Sequence, residues 1–138
     1  MEKTILIADD EPSDLRKLKQ LLESRYDVVE AENGYAALQE SRKLGEGLEG
    51  AVLDYQMMGE YDMNNLGFPS NYPPKMFYGN KVAIQMRSEG FQGPIVMNSS
   101  MAEDLKFILR ELDNVYFHNK GGDGQEILDF FDQYLGQD

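Results

Sequence analysis

The sequence contains no cysteine, and this absence excludes several kinds of chemistry. Without thiols the chain forms no disulfide, uses no cysteine nucleophile and binds no cysteine-coordinated zinc. It also lacks any run of about 18 apolar residues, the length that a membrane-spanning helix needs. The N-terminal apolar run ends at Asp9 and Asp10, so it is too short for a signal peptide. We therefore predict a cytoplasmic protein that does not insert into a membrane.

Basic residues are also scarce. Thirteen lysines and arginines stand against 25 aspartates and glutamates, which gives a net charge of −12. Nucleic acids and anionic membranes bind positive surfaces, so the charge argues against both, and a metal ion or a basic protein is left as a candidate partner. The chain has 138 residues, of which 41% are hydrophobic. This is enough for one domain with a substantial core, and we predict a single domain over 1–138.

Short apolar segments alternate with segments of helical spacing along the chain. The apolar segments predict five strands, at 4–8, 26–31, 50–54, 94–97 and 115–117. The third helix is expected to begin near 73–74 or just after Gly79 and to end at Arg87, and the S-x-x-E pattern at Ser100 predicts the start of the fourth. Strands that alternate with helices indicate right-handed crossovers and a parallel sheet covered on both faces. The predicted fold class is therefore α/β.

Reactive side chains stand where several of these strands end. Asp9 and Asp10 follow the first strand, Asp54 ends the third, Ser99 follows the fourth and Lys120 follows the fifth. Ligands of open α/β sheets bind at the carboxyl ends of the strands. Carboxylate oxygens suit a hard cation such as Mg²⁺, while an ammonium and a hydroxyl suit a phosphoryl group. A carboxylate can itself attack phosphorus and form an aspartyl-phosphate.

Five stretches in this order resemble the receiver domain of two-component response regulators. They read ILIADDEP, YDVVEAENGYAAL, AVLDYQMM, GPIVMNSS and FHNK, and they cover nearly the whole chain apart from 58–78. The resemblance implies a flavodoxin-like (βα)5 fold, a three-layer sandwich around a parallel five-stranded sheet of order 2-1-3-4-5.

The resemblance also implies roles for the acidic residues. Asp54 matches the phosphoacceptor. Asp10, Asp54 and the backbone carbonyl of Gln56 match the magnesium ligands, and Asp9 matches the acid that supports the metal, often through water. Mg²⁺ is therefore the expected cofactor.

Three further residues match the switch of the family. Ser99 matches the hydroxyl that turns toward the phosphoryl group, and Lys120 matches the lysine that pairs with it. Phe117 falls on the aromatic switch position, with Tyr116 pointing to the other face of the sheet. Phosphorylation adds about −1.5 to −2 charge and three strong acceptors, which bias a two-state loop.

The implied function is that of a phosphorylatable receiver in a phosphorelay. A histidine kinase or a histidine phosphotransfer protein would donate the phosphoryl group to Asp54. The surface formed by the fourth helix, fifth strand and fifth helix would then bind a downstream effector protein. Such a domain catalyses only its own phosphorylation and dephosphorylation and is not an enzyme with a separate substrate. A chain of 138 residues leaves no room for an output domain, so the effector is expected to be another protein.

The chain departs from the family pattern at several places. Met58 stands where proline is usual, and Asn98 is polar where the strand of the family is normally apolar. Gly121 replaces the proline that forms a cis bond after the lysine, so a trans bond is expected here. The connection at about 58–78 is longer than usual by roughly 15–20 residues, and loops of this length are usually functional or disordered. One hypothesis is that it gates access of the phosphodonor or provides a partner surface.

Two other functions compete with this interpretation. A pseudo-receiver would act as a phosphorylation-independent protein-interaction module, and the missing proline and the long connection favour it. A magnesium-dependent phosphatase or phosphotransferase usually needs a second acid two residues after its nucleophile, where this chain has Gln56. The lone histidine, His118, is interpreted as a packing or surface residue rather than a ligand or base.

Overall fold

The structure, a computed structural model, describes residues 2–55, 57, 78–100 and 113–136, and only the backbone of residue 78. The elements run in the order β1 (Thr4–Ala8), α1 (Pro12–Leu22), β2 (Asp27–Ala31), α2 (Gly34–Leu44), a 3-10 turn (Gly45–Gly47), β3 (Leu48–Asp54), α3 (Tyr78–Ser88), β4 (Ile95–Ser99), β5 (Val115–Asn119) and α4 (Gln125–Leu135). The helix predicted after Ser100 lies outside the described residues, so α4 is the fifth helix of the sequence prediction. The long connection predicted at 58–78 also lies outside them, apart from the backbone of residue 78.

The five strands form one parallel sheet in the order β2-β1-β3-β4-β5. This order confirms the predicted fold class and topology. In the register of the sheet, Ala8 lies beside Leu53, and Asp54 lies beside Asn98. The ends of β1, β3 and β4 are therefore neighbours at one edge.

Apolar side chains project from both faces of the sheet, because successive residues of a strand point to opposite sides. On one face Leu6 and Ala8 pack with residues of α2 and α3, in what we call the α2–α3 cluster. On the other face Ile5 and Ile7 pack with residues of α1 and α4, in the α1–α4 cluster. The molecule thus has three layers, and the strand ends are the part of the sheet that the helices leave accessible for a ligand.

Local sequence explains where the helices begin. Pro12 occupies the first turn of α1, where its missing N–H costs nothing, and the Glu11 carboxylate accepts a hydrogen bond from Ser13 N at 3.3 Å. The Asn33 side chain caps α2 by accepting from Ala36 N at 2.7 Å. Each described helix has 11 residues. None of the helices in the described ranges has the length and apolarity needed to cross a bilayer.

Three strands are longer than the sequence predicts. β3 begins at Leu48 rather than at Gly50, because Leu48 pairs with Thr4 of β1. β4 and β5 continue through two polar residues each, to Ser99 and Asn119. The apolar pattern stops at 97 and 117, but pairing continues because polar side chains from the two strands bond to each other, as described below.

Candidate functional site

The residues predicted to be functional come together at the carboxyl edge of the sheet. Asp9 directly follows β1, and Asp54 is the last residue of β3. Ser99 is the last residue of β4, and Lys120 directly follows β5. Parallel strands end at the same edge, so residues more than 100 positions apart in the chain become neighbours.

Three carboxylates form a cluster at this edge. Asp9, Asp10 and Asp54 each offer an oxygen, and these oxygens lie within 4.8 Å of one another. The Asp9 side chain is fully buried and that of Asp54 is 5% exposed, whereas Asp10 is exposed. Two buried like charges at this distance repel by several kcal/mol unless a cation balances them. The cluster therefore requires positive charge beside it.

Lys120 supplies positive charge to the cluster. Its Nζ lies 3.0 Å from Asp9 Oδ2, 3.0 Å from Asp14 Oδ2 and 3.3 Å from Asp54 Oδ1. Burial lowers the pKa of Lys120, but the hydrogen bonds to Asp9 and Asp14 and the charges of Asp54 and Asp9 outweigh burial and raise the pKa above its ordinary value. The ammonium therefore stays charged at neutral pH and is shared among three acids.

The backbone places Ser99 beside this lysine. Lys120 N donates a hydrogen bond to Ser99 O at 3.0 Å, so the pairing of β4 and β5 continues one residue beyond β5. Ser99 itself is 1% exposed. Ser99 and Lys120 are therefore neighbours at the edge of the sheet where β3 ends.

The end of β3 also touches the start of α3. Gly79 N donates to Tyr55 O at 3.1 Å. A Cβ added at Gly79 would lie 2.1 Å from the backbone oxygen of Asp54, so no larger residue fits without a backbone shift. The close approach explains why glycine stands at the position that the sequence pattern assigned to the start of the third helix.

Among the comparisons with known proteins, only solved structures match, and they show the fold. No protein-family model matches the chain. No curated protein matches it either. Among solved structures, a chain of the CheX–CheY–BeF3–Mg²⁺ complex from Borrelia burgdorferi is similar, with a TM-score of 0.73 and 19% identity over 94% of this chain and 87% of that chain.

Further solved structures match over nearly the whole length. The CheY-like receiver domain protein of Methanospirillum hungatei has a TM-score of 0.72 and 20% identity over 96% of this chain and 93% of that one. Chemotaxis protein CheY4 of Vibrio cholerae has a TM-score of 0.68 and 17% identity over 98% of this chain and 100% of that one. The fold is that of a response-regulator receiver domain. It is the CheY-like, flavodoxin-like fold that the sequence predicted.

The acidic residues of this receiver fold fit a magnesium ion. Asp9, Asp10 and Asp54 offer only oxygen atoms, which is the donor set that Mg²⁺ prefers. Asp10 is exposed, so an ion and its waters reach the cluster from solvent. Gln56, whose backbone carbonyl was predicted as a further ligand, lies outside the described residues, as does Met58.

The residues around Lys120 agree with two structural expectations from the receiver pattern. Phe117 packs against the α2–α3 cluster and Tyr116 against the α1–α4 cluster, so the two rings lie on opposite faces as expected. No peptide bond in the described ranges is cis, so the bond from Lys120 to Gly121 is trans, also as expected. The position of Lys120 beside Asp54 is reached without the proline that receivers usually carry.

Sequence reasoning missed Asp14 as a member of the site. Asp14 lies in the first turn of α1, and its side chain is 32% exposed. Its carboxylate shares the ammonium of Lys120 with Asp9 at the same distance of 3.0 Å. The only sequence signal was an acid four residues after Asp10, and nothing in the sequence shows that Lys120 reaches the first turn of α1.

A pair of buried polar residues next to the site, Asn98 and His118, could hardly be predicted from the sequence. Asn98 and His118 are neighbours on β4 and β5, and both are buried. The Oδ1 atom of Asn98 lies 2.9 Å from Nδ1 of His118, and Nε2 of that ring lies 3.1 Å from Asp123 O. His118 is thus a hydrogen-bonded interior residue, in line with its interpretation as a packing residue.

Proposed function

We propose that this chain is a phosphorylatable receiver, in which Asp54 accepts a phosphoryl group from a phosphohistidine. The supporting observation is that Asp54 ends β3 within reach of both Asp9 and Asp10, while the Lys120 ammonium lies 3.3 Å from its Oδ1. A nucleophilic carboxylate, a set of oxygen ligands and a fixed cation at one point are what phosphoryl transfer needs.

The proposed transfer exchanges one bond for another. A carboxylate oxygen of Asp54 forms a bond to phosphorus as the phosphorus–nitrogen bond of the donor breaks. The donor nitrogen keeps the electron pair, and the imidazole leaves as a neutral ring when its other nitrogen carries a proton. Bound Mg²⁺, held by Asp9, Asp10 and Asp54, would lower the charge on the phosphoryl oxygens. Lys120 adds a second positive charge that the protein holds permanently.

The proposed switch uses Ser99 and Lys120. A phosphoryl group on Asp54 brings three strong acceptors to the edge where both side chains lie. In the phosphorylated state, the Ser99 hydroxyl and the Lys120 ammonium would donate charge-assisted hydrogen bonds to the phosphoryl oxygens. Phe117 lies on the strand that leads to Lys120, and it is the residue proposed to change position with it.

The proposed output surface includes β5 and α4. The Tyr116 and Phe130 rings stack with centroids 5.3 Å apart, and Phe130 and Tyr134 lie 4.8 Å apart. Tyr134 is 45% exposed. This row of rings starts on β5, the strand that ends beside Lys120, and therefore links the site to a surface on which an effector protein would bind. The helix predicted after Ser100 would complete that surface.

The proposed partners are a histidine kinase or a histidine phosphotransfer protein as donor and an effector protein as receiver of the signal. In this proposal the chain acts in the cytoplasm and turns over no separate substrate. Its net charge of −12 makes it unsuited to nucleic acid as the target.

One observation favours a second function, that of a pseudo-receiver. Lys120 already pairs with Asp9, Asp14 and Asp54, so the buried charges are partly balanced without a metal. A site that is stable in this closed arrangement would serve a module that binds partners without phosphorylation. The two functions differ in whether the protein binds Mg²⁺ and a phosphoryl mimic.

Beryllofluoride binding separates them. We expect ¹⁹F NMR to show a signal of protein-bound beryllofluoride that appears only when Mg²⁺ is also present. Incubation with acetyl phosphate should add the mass of one phosphoryl group, in a form that base removes. Asp54→Asn should abolish both signals, because it removes the nucleophilic oxygen.

Asp27→Asn is the matched control, since Asp27 is an exposed aspartate at the first residue of β2, on the opposite edge of the sheet. This variant should bind and react like the wild type. Absence of both signals in the wild type would refute the receiver proposal and leave the pseudo-receiver. Turnover of a small phosphoester would instead indicate a hydrolase.

A further inference from the structure

The Lys120 ammonium donates hydrogen bonds to two acids other than Asp54, namely Asp9 and Asp14, each at 3.0 Å. It carries three N–H donors, and three carboxylate oxygens lie within 3.3 Å of its nitrogen. A phosphoryl group on Asp54 needs one of these donors. Pairing with the phosphoryl group therefore depends on how strongly the other two acids hold the ammonium.

The two competing acids differ in their surroundings. Asp9 is fully buried, and its second oxygen accepts a hydrogen bond from Glu11 N at 2.9 Å. Asp14 lies on α1 with 32% of its side chain exposed, beside a cavity of about 240 Å³ that Lys120 and His118 also line. Water can replace the ammonium at Asp14 but not at Asp9. Asp14 is therefore the acid that can exchange partners when the site changes state.

We propose that Asp14 is a positioning residue that holds the Lys120 ammonium in the unphosphorylated arrangement and weakens its pairing with a phosphoryl group on Asp54. The inference rests on the receiver function proposed above and adds a residue to it. Asp14 carries a negative charge bonded to the same nitrogen at 3.0 Å, so it competes directly with the incoming phosphoryl oxygens for one cation. Asp14 thereby favours the unphosphorylated arrangement of the site.

The geometry predicts that loss of the Asp14 charge changes the affinities for the two ligands of the site differently. Without the Asp14 charge, Lys120 binds a phosphoryl mimic more strongly. The same freed ammonium pairs more strongly with Asp9 and Asp54, and this opposes a metal ion at those oxygens. A residue that merely stabilised α1 would change both affinities in the same direction.

Asp14→Asn tests the proposal because asparagine keeps the size and a hydrogen-bonding oxygen but removes the charge. Beryllofluoride affinity at saturating Mg²⁺ and Mg²⁺ affinity alone are measured by NMR titration for the wild type, Asp14→Asn and Asp27→Asn. We expect Asp14→Asn to bind beryllofluoride about fivefold more tightly, with Mg²⁺ affinity unchanged or lower. Asp27→Asn, which changes the net charge equally, should match the wild type in both.

Asp14→Ala is a second variant, since alanine favours a helix and removes the same charge. The proposal is overturned if both Asp14 variants bind beryllofluoride within twofold of Asp27→Asn, or if they bind both ligands more weakly. If the wild type binds the mimic and the variants do not differ from it, only the role of Asp14 fails. If no variant binds the mimic, the receiver function itself fails, and this inference fails with it.

Discussion

Replacing Lys120 with methionine removes the positive charge from the acidic cluster while keeping most of the aliphatic side chain. Asp9 and Asp54 are then left buried as unbalanced charges, with side chains 0% and 5% exposed. Breaking a buried ion pair from one side costs about 3–5 kcal/mol. The Lys120 side chain is 24% exposed, so in the variant water can partly solvate the two carboxylates. We therefore expect a loss at the lower end of this range, about 3 kcal/mol. This is a large share of a typical total stability of about 5–15 kcal/mol.

Urea unfolding without divalent cations measures this change. With a slope of about 1.5 kcal/mol per molar, a loss of about 3 kcal/mol lowers the midpoint by roughly 2 M. Lys17→Met is the control, because Lys17 is an exposed lysine of α1 that borders the same cavity as Lys120. Adding Asp54→Asn to Lys120→Met should restore at least about 1 kcal/mol, since one unbalanced charge is removed. The reasoning is wrong if Lys120→Met loses no more stability than Lys17→Met, or if Asp54→Asn restores nothing.

Three further variants test other parts of the structure. Gly79→Ala should lose about 2–3 kcal/mol in urea unfolding, because its Cβ would lie 2.1 Å from a backbone oxygen of β3; a loss below about 1 kcal/mol would contradict this close approach. His118→Val should lower the free energy of unfolding by about 1–3 kcal/mol, because it leaves the buried Asn98 amide without its ring partner. Replacing both Asn98 and His118 with valine should cost less than the sum of the two single replacements. If the costs are additive, the hydrogen bond between the two residues does not contribute to stability. Hydrogen bonds from Arg42 lower the pKa of Glu89, so the bond contributes stability above the pKa of an unfolded glutamate, about 4.3, and that contribution is lost as pH falls through the lower folded value. The free energy of unfolding of the wild type should therefore exceed that of Glu89→Gln by about 0.5–1 kcal/mol at neutral pH, and the two should be equal at strongly acidic pH. A difference that does not depend on pH would refute this assignment.

Much of the fold follows from local pattern. The unbroken apolar run from Thr4 to Ala8 predicted a strand buried on both faces, and the structure has it with those bounds. Val82, Ala83 and Met86 follow the helical spacing of a single face of α3, and all three are buried. These predictions succeed because the side chains that form each element also form the core.

The parts that were missed depend on contacts between distant residues. β4 and β5 extend past their apolar runs because Asn98 and His118 satisfy each other, and neither residue alone indicates a strand. The contact of Asp14 with Lys120 spans 106 positions of sequence, so no local pattern contains it. The acids of the site were found because strand ends converge in a parallel sheet, whereas a helix residue that joins them has no such rule.

The separation between the two apolar clusters and the polar edge has a consequence for how such a protein changes over time. The backbone of the sheet sets the spacing of the strand ends, with neighbouring strands about 4.8 Å apart, whatever side chains fill the layers on either side. Substitutions in the interior and substitutions at the rim therefore fall into nearly independent sets. A library restricted to positions 9, 10, 54, 99 and 120 would sample new ion and anion chemistries on an unchanged scaffold. Substitutions that accumulate in the two clusters during evolution would lower the overall sequence identity between related proteins, while the side chains at these five positions stay in place.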